Sequence, residues 1–168
     1  SYTLKLKHIV ILDVFIIATG FVLRAISGAV LIKVIISPWL LICTSLLALF
    51  LALGKRRYEL NTIKEAHKHR KILDEYSIPL LDEMISVVTA STLIAYSLYT
   101  FTSQTAIKHN YLMLTIPFVL YGIFRYLYLI HKKNLGGSPE IILIKDIPLI
   151  VNIIFWILSV IIIVYLIK

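Results

Sequence analysis

The chain has 168 residues, 60% of them apolar and 15% charged, and its mean hydropathy is +0.92. A soluble domain of this size carries about 45–50% apolar and about 25% charged residues, so a water-soluble enzyme, a disordered chain and a low-complexity fibre are all excluded. The formal net charge of +8 reads as Lys and Arg marking one side of a membrane rather than as a nucleic-acid footprint.

A helix needs about 20 apolar residues to cross a bilayer. Five runs of that length are predicted in chain order: about Ile9 to Leu31, Val34 to Leu53, Leu81 to Phe101, Tyr111 to Ile130 and Ile147 to Ile167. They are continuous rather than alternating and too long for barrel strands, which excludes a β-barrel. The expected architecture is an all-α, polytopic transmembrane bundle of five spans, read as a single domain over 1–168 with a basic connection at 54–80. Most of the 17 Lys and Arg residues fall in the N-terminal tail, in 54–80 and in 131–146, whereas Lys33, Lys108 and Lys168 fall on the opposite side. The positive-inside rule then places the N-terminus in the cytosol and the C-terminus outside, in a cytoplasmic (inner) membrane. All nine carboxylates lie on the basic side, which puts any chemistry at the cytosolic surface. Cys43 is the sole cysteine, with no partner for a disulfide and no spacing for a zinc site.

Several clusters could carry chemistry. In Gly54-Lys55-Arg56-Arg57-Tyr58-Glu59-Leu60, a helix would put Lys55 and Glu59, four apart, and Arg56 and Glu59, three apart, on one face. Cations beside a carboxylate can bind a diphosphate directly or through a metal that the carboxylate helps to hold; the competing reading is a stop-transfer cluster with a helical ion pair. Beyond it, residues 61–76 have the spacing of an amphipathic surface helix with Lys64, Lys68 and Lys71 on one face, and His67 and His69, two apart, face different ways. Arg24 sits deep in the first span, where an ionised side chain costs about 2.5–3.5 kcal/mol on insertion scales; it needs a phosphate, a carbonyl or a carboxylate, or it snorkels. Arg125 and Tyr126 approach the basic side from the fourth span, with Gly122 allowing close approach, and an interfacial aromatic belt is the alternative. Asp13, Asp82 and Asp146 stand at span starts, as helix caps or, if they converge, as a Mg²⁺ site. Ser138-Pro139-Glu140 reads as an N-cap, N1 and acidic first turn.

The order of these motifs, Asp13, Leu23-Arg24-x-x-x-Gly28, Gly54-Lys55-Arg56-x-x-Glu59-Leu60, Leu73-x-x-Tyr76, Tyr96-x-x-Tyr99, Pro117-Phe118-x-x-Tyr121-Gly122-x-x-Arg125-Tyr126 and Gly137-x-Pro139-Glu140 with Asp146, resembles the C-terminal half of the UbiA prenyltransferase superfamily. Within it the pattern is most similar to the branch that makes phosphoribosyl derivatives of polyprenyl (decaprenyl) phosphate. The resemblance implies a nine-helix fold of which these five spans would be the fifth to ninth, and transfer of a 5-phosphoribosyl group from phosphoribosyl diphosphate to a polyprenyl phosphate with Mg²⁺. It implies Lys55 and Glu59 as catalytic, Arg24, Lys55, Arg56, Arg125 and Tyr126 as substrate-binding, and Glu59 as a metal ligand. The superfamily's Asn-Asp-x-x-Asp motif is absent from these residues. With Ser1 in place of Met, this suggests the C-terminal portion of a longer chain, inactive by itself. Two alternatives stay open: a UbiA-type enzyme with a polyprenyl diphosphate donor and an aromatic or lipid acceptor, and a non-enzymatic membrane subunit whose charges set topology. No nucleic-acid partner is expected, and a homo-oligomer is left open.

Overall fold

The structure is a computed structural model, described over residues 11–33, 37–66, 76–133 and 137–166. Its elements are α1 (Leu12–Leu31), α2 (Pro38–Ala66), α3 (Ile78–Thr102), the short α4 (Gln104–Lys108), a 3₁₀ turn (Leu112–Thr115), α5 (Ile116–Lys132), α6 (Pro139–Lys145) and α7 (Ile147–Ile161), which ends in a π-helical turn (Ile162–Leu166). Five helical stretches are long and apolar enough to span a membrane: Leu12–Leu31, Pro38–Thr62, Ile78–Thr102, Leu112–Lys132 and Ile147–Leu166. The all-α bundle expected from the apolar runs is therefore the fold of this multi-pass integral membrane protein.

Local chemistry sets the helix starts. Pro38 opens α2 and Pro139 opens α6 at the position where a missing N–H costs nothing. The dipeptides Ile78-Pro79, Ile116-Pro117 and Ile147-Pro148 open α3, α5 and α7 in the same way. Ser77 accepts the Leu80 N–H at 3.3 Å and Asp146 accepts the Leu149 N–H at 3.0 Å, so α3 and α7 are capped by side chains. Ser138 is the N-cap of α6 as its spacing implies, but its hydroxyl makes no capping bond.

One boundary differs from expectation in a way that matters. The second span does not give way to a connection at Gly54; α2 continues to Ala66. Residues 55–66 contain no proline or glycine to break the helix, so the basic cluster continues on the same helix, with Arg56, Arg57 and Leu60 still buried in the bundle. The surface-helix reading of 61–76, with Lys64, Lys68, Lys71, His67 and His69, lies largely outside the described residues.

Packing follows chain order, with α1 against α2, α2 against α3, α3 against α5, and α5 against α7. The main core joins Val14, Phe50, Leu53, Leu81, Ile85, Tyr126, Leu129 and Leu149 from all five spans. Large apolar side chains elsewhere, among them Phe15, Leu23 and Val30 on α1 and Ile154, Phe155 and Leu158 on α7, point outward. A lipid solvent makes that arrangement favourable, since burial within the bundle gains nothing over contact with acyl chains.

In that solvent, interhelical polar contacts and close packing hold the helices together. The Tyr96 and Thr115 hydroxyls are 2.7 Å apart, and the Trp156 indole N–H donates to Tyr96 Oη at 2.9 Å. This joins α3, the 3₁₀ turn and α7. Asn152 donates to the Phe118 carbonyl at 2.9 Å, and a Cβ at Gly122 would come within 3.1 Å of its Nδ2, so the small residue permits the α5–α7 approach. Tyr96→Phe keeps the ring and removes the shared hydroxyl. Unfolding in mixed detergent should show a loss of about 1 kcal/mol, within the range of such bonds in membranes.

Candidate functional site

Successive spans run antiparallel, which brings the start of α1, the C-terminal part of α2, the start of α3, the end of α5 and the start of α7 to one end of the bundle. The charged side chains meet there as separate ion pairs. Arg56, on α2, donates from Nε to Asp13 Oδ2 at 2.7 Å and from Nη1 to Glu59 Oε2 at 2.5 Å. Arg56 and Asp13 are both buried. Tyr76 completes the group: its hydroxyl donates to Asp13 Oδ1 at 2.6 Å and accepts the Ile11 N–H at 2.7 Å. Ile11 itself lies at φ 74°, a conformation costly for a β-branched residue.

The neighbouring Arg57 turns to a different face of α2. Its Nε donates to Asp82 Oδ1 at 2.6 Å, and its Nη1 to the Ile130 carbonyl at 3.3 Å near the end of α5. His131 brings Nε2 to 3.2 Å from the same Asp82 oxygen. Arg125 forms a two-pronged pair with Asp146, 3.0 Å from Nε and 2.8 Å from Nη2, with its guanidinium 5.1 Å above the Tyr128 ring.

This geometry decides between two expectations for the aspartates. Asp146 is a cap, and it also pairs with Arg125. Asp13 and Asp82 are not caps: they lie inside α1 and α3, whose N-caps are Ile11 and Ser77, and Arg56 and Arg57 reach them from the facing helix. The three do not converge: among the described residues, no group of three His, Cys, Asp or Glu side chains could hold a metal. Sequence reasoning passed over Arg57, Asp82 and His131 as a unit. Adjacent arginines on a helix point about 100° apart, and that is a signal that they take different partners.

The residues singled out from sequence sit in distinct settings. Lys55 is exposed and forms no ion pair among the described residues; Glu59, which a helix puts on its face, is taken by Arg56. Arg56 is a buried anchor. Tyr126 is buried, with its ring 4.9 Å from Phe50 and its hydroxyl against Gly54. Arg24 is exposed on α1, 5.7 Å over the Phe21 ring, and lines neither cavity described here. A half-open cavity of about 440 Å³ runs between α2, α3, α5 and α7, lined by apolar and aromatic side chains such as Leu47, Phe50, Tyr96, Tyr126, Ile153 and Trp156. A second, of about 450 Å³, lies at the charged end.

Two groups outside the spans are shifted. The Arg125 hydrogen bond holds the Asp146 carboxyl below its usual range. Its folded value is depressed, so this stabilisation is present above the unfolded carboxylate range and is lost as pH falls through the folded value. Burial, and then donation to Asp13, push the Tyr76 phenol up to about 12. A raised value stabilises the fold fully below the ordinary tyrosine pKa of about 10 and loses that contribution as pH rises through the folded one. In a spectrophotometric titration, Tyr76→Phe should remove one late-ionising tyrosine near pH 12 and flatten the alkaline limb of the stability curve.

The fold and its paired charges define a multi-pass membrane protein with a single highly charged end. No family model matches the chain. Curated proteins do. The chain is 31% identical over 167 residues to a protein of Mycolicibacterium smegmatis named decaprenyl-phosphate phosphoribosyltransferase, the match covering 94% of this chain and 52% of that protein. It is 28% identical over 169 residues to a protein of that name from Corynebacterium glutamicum, covering 98% and 50%, and 27% identical over 161 residues to one from Mycobacterium tuberculosis, covering 95% and 53%. The chain thus spans about half the length of the curated relatives it matches. The similarity agrees with the motif order and is consistent with the C-terminal half of a UbiA-type protein.

Proposed function

We propose that this chain forms the C-terminal part of a membrane transferase that moves a 5-phosphoribosyl group from phosphoribosyl diphosphate to a polyprenyl phosphate. The observation that carries the reading is the similarity over nearly all of the chain to proteins named for that activity. The charged end faces the cytosol of an inner membrane in this reading, with the C-terminus outside, and the portion described is inactive by itself.

In the reaction, an oxygen of the lipid phosphate attacks the anomeric carbon of the donor. The carbon–oxygen bond to diphosphate breaks, and the leaving group carries away the electron pair and the negative charge. Cations placed where that charge develops lower the barrier. Lys55 is the exposed cation suited to the diphosphate. Arg56 positions it, because its bonds to Asp13 and Glu59 fix that stretch of α2. Arg125 presents a half-buried guanidinium with Tyr126 beside the apolar cavity, which can take part of the isoprenoid chain. Arg24, exposed and without a carboxylate partner among the described residues, stays a candidate for phosphate at greater depth. The resemblance carries Mg²⁺ into the proposal with Glu59 as its candidate ligand; since the described residues converge no metal-binding group, no step is drawn through the metal.

The test is binding of phosphoribosyl diphosphate to the protein in nanodiscs, with the complementary half of the M. smegmatis relative supplied or omitted. Binding that disappears in Lys55→Ala supports the reading. Absence of binding in both forms contradicts it and favours a polyprenyl diphosphate donor or a non-enzymatic subunit.

A further inference from the structure

The second cavity lies apart from the Lys55–Glu59 cluster and meets the groups used above at Asp146, the partner of Arg125. It is lined by Tyr58 of α2, Leu129 and Lys133 at the end of α5, Gly137 and Ser138 before α6, Ile141, Ile142 and Lys145 of α6, and Asp146. Apolar side chains (Leu129, Ile141, Ile142) and polar or charged ones (Tyr58, Lys133, Ser138, Lys145, Asp146) share the lining. Asp146 is the carboxylate among these lining residues; Arg125 pairs with it directly and Lys133 attracts it from further off, and neither Lys133 nor Lys145 forms a close ion pair among the described residues. Two hydroxyls join them. Ser138 makes no capping bond although it is the N-cap of α6, and no hydrogen bond occupies the Tyr58 hydroxyl among the described residues.

The wall is also held in place. A Cβ on Gly137 would collide with the Tyr58 ring, so glycine lets the chain close against α2 and shape the pocket. The attraction of cations to helix C-termini applies to both lysines, Lys133 as the C-cap of α5 and Lys145 in the last turn of α6, and the positive-inside rule requires basic residues, but neither requires a cavity or unpaired hydroxyls. Two cations and two hydroxyl donors around one concave site are the chemistry that recognises a phosphate group.

We propose that this cavity between α2, α5 and α6 is a phosphate-binding site, separate from the Lys55–Glu59 cluster, with Lys133 and Lys145 supplying charge and Ser138 and Tyr58 supplying hydrogen bonds. The phosphate belongs either to a soluble diphosphate or to an anionic lipid headgroup at the membrane surface. The inference does not rest on the proposed function, because none of the four residues that would hold the phosphate is assigned a role there.

The experiment measures binding to the protein in phosphatidylcholine nanodiscs, using inorganic diphosphate in one arm and labelled phosphatidic acid incorporated into the discs in the other. Saturable binding of diphosphate identifies a soluble ligand, and selective retention of phosphatidic acid identifies a headgroup. In either case the double variant Lys133→Gln/Lys145→Gln should weaken binding at least about tenfold, as expected for loss of charge-assisted hydrogen bonds. Ser138→Ala and Tyr58→Phe, which leave charge and topology untouched, should weaken it a few-fold. Lys55→Ala should leave the component lost in the lysine double variant intact. The proposal is overturned if neither probe binds, or if both probes bind the double variant and the hydroxyl variants as they bind the native chain. Binding lost in Lys55→Ala and retained in those variants would also overturn it, while leaving the proposed function standing.

Discussion

Replacing Arg56 with alanine should unfold the charged end of the bundle. The guanidinium is buried between Asp13 and Glu59, and the Asp13 carboxylate, also buried, shares its other oxygen with Tyr76. Removing the cation leaves a buried negative charge uncompensated, a defect that costs about 3–5 kcal/mol in proteins generally. That is a large part of the stability of a chain this size. Arg56→Lys should recover only part of the loss, because an ammonium cannot span two carboxylates as the planar fork does. Asp13→Asn combined with Glu59→Gln in the Arg56→Ala background should recover more, since the stranded charges then disappear. Thermal unfolding in detergent, followed by circular dichroism, reads all three.

Lys55→Ala, one residue away, should behave in the opposite way. Its ammonium is exposed and holds no partner among the described residues, so stability should change by less than about 0.5 kcal/mol. Binding of phosphoribosyl diphosphate should fall about 10- to 100-fold, the worth of a hydrogen bond to a charged group. The contrast between adjacent residues separates a cation that builds the site from one that meets the ligand. A topology-setting role predicts instead that Lys55→Ala disturbs insertion and leaves ligand affinity alone.

The five spans were legible because a run of about 20 apolar residues has few alternatives to a membrane helix. The cap at Asp146 follows from local chemistry as well, whereas the cap at Ser77, ahead of the expected span start at about Leu81, was not read from the sequence. The continuation of α2 to Ala66 was not legible from hydropathy, since the polarity change at Gly54 marks where the helix leaves the apolar layer and not where it stops. The pairing of Arg56 with Asp13, 43 residues away, depends on which helices become neighbours. No spacing rule within one helix reveals it. The i,i+3 contact of Arg56 with Glu59 was readable, and it displaces the i,i+4 contact of Lys55 because the guanidinium is already fixed by Asp13. Arg24 shows the same limit: its depth was plain from the sequence, whereas its outward orientation depends on α1 packing against α2.

The most direct test of the transferase reading is to put this chain in place of the matching half of the M. smegmatis relative and follow labelled phosphoribosyl diphosphate in membranes that contain polyprenyl phosphate. The account predicts label transferred to lipid, unaffected by added polyprenyl diphosphate, and lost in Lys55→Ala while the variant still inserts and folds. A folded chimera that transfers no label, or that consumes polyprenyl diphosphate and ignores the phosphoribosyl donor, would contradict it.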